Sequence, residues 1–469
     1  MWRSVRMVGA EIQERIRKKM DHRGIDPLAI ESFLDMVRRI PENDPGYVAL
    51  HRTCPPDSDS IFDSDKLSTE INELGKRGQS LLSKAIIIKL NGGRSTTMGG
   101  VVPKGILTAK NGRSYLDIIV CQAQALRSKW DADIPLLLMN SFFTQESTLE
   151  SIRGYDPPPE TFLQHQVPRL VEHTYAPLDT GTESDWAPPG HGDIYASLKR
   201  QGILDRLRSK GTRWAFVSNI DNLAATLEPW ILGLMDRDRI DFLLEVTDRT
   251  PADRKGGTLI VRDGLLDLLE IAQVSPKDRD CFMDMDRFKV FNTNNVWIDL
   301  DALARALDTG GLNLPLIQNH KTVSDVSVIQ LETAMGAAIG SFPRGRGLRV
   351  GRDRFFPTKK VADLFRLQSD ACVLDEMHRL QMNPQRPVSL PPRPRVHFSA
   401  DFLENPLDIP KRFEDSESVS LLEAVSLEVS GSVFFERNVK IGGRVIVSPP
   451  PGETYLVPSG SVLKDRKYP

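Results

Sequence analysis

The chain has 469 residues, and 61 Lys and Arg against 63 Asp and Glu leave a formal charge of −2, which excludes a nucleic-acid protein held by a basic face. With 40% hydrophobic and 26% charged residues, it reads as an ordinary globular chain of roughly two to four domains, not as a disordered, collagenous or disulfide-knitted one. Cys54, Cys121, Cys281 and Cys372 form no CxxC pair, and no window approaches the roughly 20 apolar residues of a membrane span. A cytoplasmic protein with no membrane partner is expected.

Residues 1–80 read as an N-terminal helical region. Asp26 and Pro27 suit the N-cap and first helical position, and Ile30, Phe33, Leu34 and Val37 follow at helical spacing before Pro41. From Ala85 the pattern changes. AIIIKL, PLLLMN at 135–140, WAFVSN at 214–219, IDFLLEV at 240–246 and TLIV at 258–261 are short apolar runs separated by helical patterns. That alternation predicts an α/β core, residues 81–385, around a mixed or parallel sheet buried on both faces. Within it, Ser114 and Asp117 resemble a capping box, and Tyr115, Ile119, Ala123, Leu126 and Trp130 form one apolar stripe.

Prolines crowd 386–417, in PQRPVSLPPRPRV and NPLDIP, and mark a linker. Beyond it, residues 418–469 repeat: Leu427, Val433, Val439 and Val445 are spaced by six, as are Val429, Phe435, Ile441 and Val447. Two apolar registers at that period suggest a parallel β-helix, with Gly431, Gly442 and Gly443 at corners; a β-meander of alternating residues is the competing pattern.

The segment richest in chemistry is KLNGGRSTTMGGVVPK at 89–104, a strand feeding a glycine-rich loop. Backbone N–H groups of such a loop can approach an anionic ligand closely, although the segment is neither a Walker A nor a GxGxxG motif and a plain turn is the other reading. PPGHGD at 188–193 and VSNIDN at 217–222 add polar clusters, the second directly after an apolar run. Ligands of open α/β sheets bind at the carboxyl ends of strands, where Asn219 and Asp221 would sit. Asp221 is either an Asx-turn residue or a carboxylate that holds Mg2+ together with substrate phosphates.

KLNGGRSTTMGGVVPK, PLLLMNSF, QVPR, PPGHGDIY, FVSNIDNL, KGGTLI, FNTNNVWIDL, QLETAMGAAI and RFFPTKKVADL occur in this order from about residue 80 onward. Together they resemble the eukaryotic-type UTP:glucose-1-phosphate uridylyltransferases, or UDP-glucose pyrophosphorylases. The resemblance implies a GT-A-like, Rossmann-like nucleotidyltransferase core with a small C-terminal left-handed parallel β-helix. It also implies the reaction of UTP with glucose 1-phosphate to UDP-glucose and pyrophosphate, with Mg2+ as cofactor and in-line attack of the sugar phosphate on the α-phosphorus. Carried over residue by residue, Leu90, Asn91, Gly92 and Gly93 would meet the nucleotide, and Lys104 would reach its phosphates. Gln166 and Gly190 would read the uracil edge. His191 would bind the sugar phosphate, Asn219 the nucleotide or sugar hydroxyls, and Asp221 the nucleotide through Mg2+. Lys255, Gly256, Gly257 and Asn292 would line the sugar pocket. Lys359 matches the family's catalytic lysine, although Lys359 and Lys360 also read as a solvated pair. Glu332 falls in a family motif, where sugar-hydroxyl binding and helix packing both stay open.

The chain departs from the family's LNGGLGTxMG pattern, with Arg94 and Ser95 where Leu and Gly are expected and Val102 before Pro103. Three alternatives follow: another sugar or cyclitol 1-phosphate, another nucleoside triphosphate, or a catalytically degraded homologue that binds sugar nucleotides. The tail closes on GSVLKDRKYP, so the expectation is a monomer or homodimer. A β-helix acyltransferase would need a longer repeat and a histidine within it, and none lies between 400 and 469.

Overall fold

A computed structural model describes residues 8–40, 47–93, 98–99 and 102–469. Arg94 and Ser95 therefore lie outside the described residues. Eight strands form the central sheet, in the order Ile61–Asp63, Gly345–Arg349, Phe242–Asp248, Val290–Asp299, Trp214–Asn219, Ala85–Asn91, Leu136–Asn140 and Glu160–Leu163. Neighbours pair in parallel except across Val290–Asp299, which runs antiparallel to both of its partners. The sheet is mixed, as expected. Every residue of Ala85–Asn91 is buried, because alternate side chains enter different cores. Ile87 joins the cluster that also holds Phe216, Trp297 and Leu138, whereas Ile86, Ile88 and Leu90 join the one with Val217 and Leu244. Each such buried side chain contributes about 1.5–3 kcal/mol.

Helix Tyr115–Trp130 covers the first face. Ser114 and Asp117 form its capping box, and Tyr115, Ile119, Ala123 and Leu126 point into the core while Trp130 packs at its edge. Pro27–Arg38 is likewise the expected helix, with Asp26 accepting the amides of Leu28 and Ala29. The first 80 residues also supply the edge strand Ile61–Asp63 of the central sheet.

The TLIV run departs from expectation. Thr258–Arg262 does not enter the central sheet; it forms a separate three-stranded sheet with Leu265–Leu269 and Thr53–Cys54. Asp263 and Gly264 both take positive φ, 51° and 81°, so this Asp-Gly pair makes the tight turn that returns the chain on itself. The local hairpin thereby wins over a longer crossover.

After residue 385 the pairings among the described strands are all parallel. Arg395–Phe398 lies beside Ser420–Val429, that strand beside Lys440–Val447, and Ser432–Phe435 beside Thr454–Val457. A meander would pair antiparallel. Both six-residue registers are buried throughout, with Leu427 opposite Val445 and Val429 opposite Val447. Gly431 takes positive φ between two strands, whereas Gly442 and Gly443 both lie within strand Lys440–Val447 and not at a corner, Gly443 with positive φ. The rings of Phe365, Phe413 and Phe435 stack at 4.6 and 5.0 Å and join this segment to the α/β core. Among the described residues no helix is long and apolar enough to cross a membrane.

Candidate active site

The parallel strands Ala85–Asn91, Leu136–Asn140, Glu160–Leu163 and Trp214–Asn219 end side by side, and their carboxyl ends carry the polar residues. Asn219 pairs with Leu90, and the Leu90 carbonyl accepts the Ile220 amide at 3.0 Å, which brings Asp221 beside the glycine-rich segment. Asn91 is buried and donates to Asn140 Oδ1 at 2.9 Å and Thr148 Oγ1 at 2.8 Å. Its Oδ1 would lie 2.6 Å from a Cβ at Gly105, so only a glycine lets the segment after Lys104 approach this closely. The Gly92 carbonyl accepts from Ser141 Oγ at 2.8 Å, and the Gln164 amide fills the space a Gly92 side chain would need. Gly93 faces open space.

Asp221 stands at the centre. Its Oδ2 accepts Lys104 Nζ at 2.6 Å and Lys359 Nζ at 3.1 Å, and Lys104 also donates to the Thr358 carbonyl at 2.7 Å. The carboxylate is buried, which works to raise its pKa, but the two ammonium charges prevail and hold it well below the usual range. Its other oxygen, Oδ1, is buried with no hydrogen-bond partner. Lys359 is thus no mere solvated lysine, although its side chain stays 55% exposed. Asn222 holds the segment that bears it: Asn222 Oδ1 accepts the Phe356 amide at 2.8 Å and Nδ2 donates to the Arg354 carbonyl at 3.2 Å.

His191 follows Gly190, whose φ of 83° and closeness to Thr333 exclude a side chain: a Cβ would meet the Thr333 carbonyl oxygen at 2.5 Å. The Met335 amide donates to His191 Nδ1 at 2.9 Å, so the neutral ring carries its proton on Nε2. Burial first, and then the charge of Lys359, push the imidazole down to about 4. Between pH 4 and 6.5 the unfolded chain binds the proton that the folded chain refuses, so this group's stability contribution is complete above about 6.5 and is lost as pH falls towards 4. We expect the urea midpoint to fall from pH 7 to pH 5 by more in the wild type than in His191→Gln; equal falls would remove this assignment.

Gln166 precedes a strand pair in which Val167 faces Ala187 and Pro168 faces Trp186, a register that sets Gln166 across from Pro188. Gln166 Oε1 is buried and unpartnered. Gln330, whose Oε1 is also unpartnered, donates to Glu332 at 2.7 Å and to the Pro188 carbonyl at 3.4 Å. Burial raises the pKa of Glu332. Among the remaining expected residues, the Gly257 carbonyl accepts the Asn292 amide at 2.8 Å, and Asn292 is buried with its side chain bonded to Asn294. Gly256 packs against Phe291, whose ring lies 5.2 Å from Phe355, while Lys255 is exposed in its loop.

Leu90, Asn91, Lys104, Asn219, Asp221 and Lys359 are therefore brought into one cluster, with His191 within reach of the Lys359 charge. Gly190 and Glu332 meet at Thr333, and Gly257 and Asn292 form a further group. Thr358, Gln164, Asn222 and Gln330 were not foreseen. Asn222, Gln330 and Thr358 lie inside the quoted SNIDN, QLETAMGAAI and RFFPTKKVADL strings, but apart from the contact of Gln330 with Glu332 the partners named for these residues are distant in sequence and leave no local pattern.

Residues 30–442 match the sequence profile of the UTP–glucose-1-phosphate uridylyltransferase family. The uridylyltransferase of Solanum tuberosum is 38% identical over 440 residues, covering 92% of this chain and 91% of the potato enzyme. That of Encephalitozoon cuniculi is 41% identical over 398 residues, covering 84% and 80%. A crystal structure of UDP-glucose phosphorylase from Trypanosoma brucei superposes with a TM-score of 0.88 at 33% identity, over 98% of this chain and 99% of that one. A Leishmania major UDP-glucose pyrophosphorylase mutant in complex with UDP-glucose gives 0.85 at 32% identity over the same shares. In sequence over most of its length, and in fold over nearly all of it, the chain belongs to the UTP–glucose-1-phosphate uridylyltransferase family of nucleotidyltransferase enzymes.

Proposed function

We propose that the chain converts UTP and glucose 1-phosphate into UDP-glucose and pyrophosphate in a Mg2+-dependent reaction. The observation that carries this reading is the Lys104–Asp221–Lys359 cluster at the carboxyl ends of the parallel strands. Two ammonium groups fixed around one buried carboxylate suit a transfer in which charge accumulates on phosphate oxygens and no protein nucleophile is required. Leu90, Asn91, Gly92 and Gly93 bind the nucleotide, and Lys104 and Lys359 hold its phosphates in line with the attacking oxygen of the sugar phosphate. Gln166, with its unpartnered acceptor, and the backbone of Gly190 read the uracil edge. His191 stays neutral at physiological pH and donates from Nε2 to the sugar phosphate. Asn219 meets the nucleotide or sugar hydroxyls, while Lys255, Gly256, Gly257, Asn292 and Glu332 bound the sugar.

The residues fit the metal. Asp221 Oδ1 is a buried anionic oxygen with no hydrogen-bond partner, and Mg2+ commonly takes one or two protein carboxylates beside substrate phosphates. When bound, Mg2+ would neutralise charge on the phosphate oxygens. We also read residues 418–469 as a left-handed parallel β-helix behind the linker 386–417, with residues 81–385 as the catalytic core and 1–80 as the N-terminal region; the parallel pairings and buried six-residue registers support it.

The deciding experiment is pyrophosphate release with Mg2+ from UTP, ATP, GTP, CTP or dTTP against several sugar 1-phosphates. Preference for UTP with glucose 1-phosphate is expected. Preference for another sugar would keep the chemistry and move the specificity, and no turnover with any pair would overturn the reading in favour of a binding homologue.

A further inference from the structure

The N-terminal helices pack against the strands that frame the proposed base site. Ile16 and Met20 of helix Ala10–His22, and Ile30, Phe33, Leu34 and Val37 of Pro27–Arg38, share one core with Val167, Leu170, Trp186, Ile329 and Leu331. Val167 and Trp186 belong to the two-stranded pair that has Gln166 immediately before one strand and leads from the other through Pro188 to Gly190.

A polar contact fixes the same place. Lys19 Nζ lies 2.9 Å from Asp185 Oδ2 and 2.8 Å from Asp179 Oδ1. Asp185, only 1% exposed, immediately precedes Trp186, and its other oxygen accepts the Thr180 amide at 2.9 Å and hydroxyl at 2.6 Å. Lys19 and Arg23 also stand 5.8 and 5.4 Å from the Trp186 ring. On the other side of Gln166, Arg200 bonds the Leu28 carbonyl and lies 3.4 Å from His165 Nε2. Helix Pro27–Arg38 is thus tied to the residue just before Gln166, and helix Ala10–His22 to the one just before Trp186.

We propose that the N-terminal helix pair is a positioning element for base recognition, and that Lys19, through Asp185, sets the spacing between Gln166 and Gly190 and so governs selection of UTP over other pyrimidine nucleotides. The inference rests on the reading that Gln166 and Gly190 contact the uracil. Lys19 touches no substrate in this arrangement; it acts by holding a buried carboxylate whose loop would otherwise shift by fractions of an ångström, enough to spoil a two-point hydrogen-bonded readout.

The test uses the full chain with Lys19→Met, Lys19→Arg and Gln166→Ala. It measures KM for UTP, KM for glucose 1-phosphate, kcat, and the ratio of kcat/KM for UTP to that for CTP. Lys19→Met is expected to raise KM for UTP about tenfold, the scale of one lost charge-assisted hydrogen bond, and to lower the UTP to CTP ratio by a similar factor. The kcat and the KM for glucose 1-phosphate should stay within about twofold, and Lys19→Arg should recover most of the loss. If Gln166→Ala loses UTP selectivity while Lys19→Met keeps it, or if Lys19→Met moves all parameters together, the inference is overturned and the base reading stands. If Gln166→Ala leaves selectivity unchanged, the base reading falls and takes the inference with it. Lys19→Gln serves in the same assay if the methionine variant does not fold.

Discussion

Replacing Asp221 with Asn is expected to lower kcat about 10²–10³-fold, the usual scale for removing one preorganised electrostatic group from an active site. Asn keeps the shape, so the fold should persist. It removes the anion that holds Lys104 at 2.6 Å and Lys359 at 3.1 Å, and it replaces the unpartnered carboxylate oxygen with a neutral amide. Two cations then repel each other with no charge between them, and neither is held where the phosphates must lie. Pyrophosphate release at saturating substrates, beside a thermal melt of the same sample, checks the prediction. The Mg2+ concentration for half-maximal rate should also rise. A variant with wild-type kcat would strip Asp221 of its role.

The largest expected effect on stability lies behind the site. Glu245 is completely buried and takes Arg354 through two contacts, 2.6 and 2.9 Å, while also accepting from Trp297 Nε1 and Asn295 Nδ2. Arg354→Met removes the cation and leaves the carboxylate inside a low-dielectric core, which costs about 3–5 kcal/mol. Arg354→Lys should recover little, because an ammonium cannot reproduce the two-pronged contact. Urea unfolding measures both variants, and a loss below about 1 kcal/mol for Arg354→Met would refute the account. The Arg354 carbonyl is also a point at which Asn222 holds the segment leading to Lys359, so kcat should fall in the same variant.

These two predictions differ in how visible their residues are in the sequence. Asp221 stands out because a strand-like apolar run ends two residues before it, and Lys359 because of the motif around it. Glu245 sits inside IDFLLEV, where nothing local distinguishes a buried ion-paired glutamate from a residue at a strand edge. Its partner lies 109 residues away. The antiparallel course of Val290–Asp299 was equally hidden, since strand direction depends on the neighbours a strand meets and not on its own residues.

By itself the sequence determined the elements whose causes are local. The all-buried Ala85–Asn91 strand follows from an unbroken apolar run, the helix at Tyr115–Trp130 from its capping box and apolar stripe, and the C-terminal registers from a period of six. Where Asp263 and Gly264 supplied a local turn signal, it outweighed the expectation that TLIV would join the main sheet. Only the tertiary structure decided that Lys104 and Lys359, 117 and 138 residues from Asp221, converge on one oxygen of a buried carboxylate and leave the other without a partner. Such meetings depend on the summed packing of the sheet and its covering helices, and a buried charge is kept there because opposite charges from distant segments offset its loss of water, a condition that no short stretch of sequence can encode.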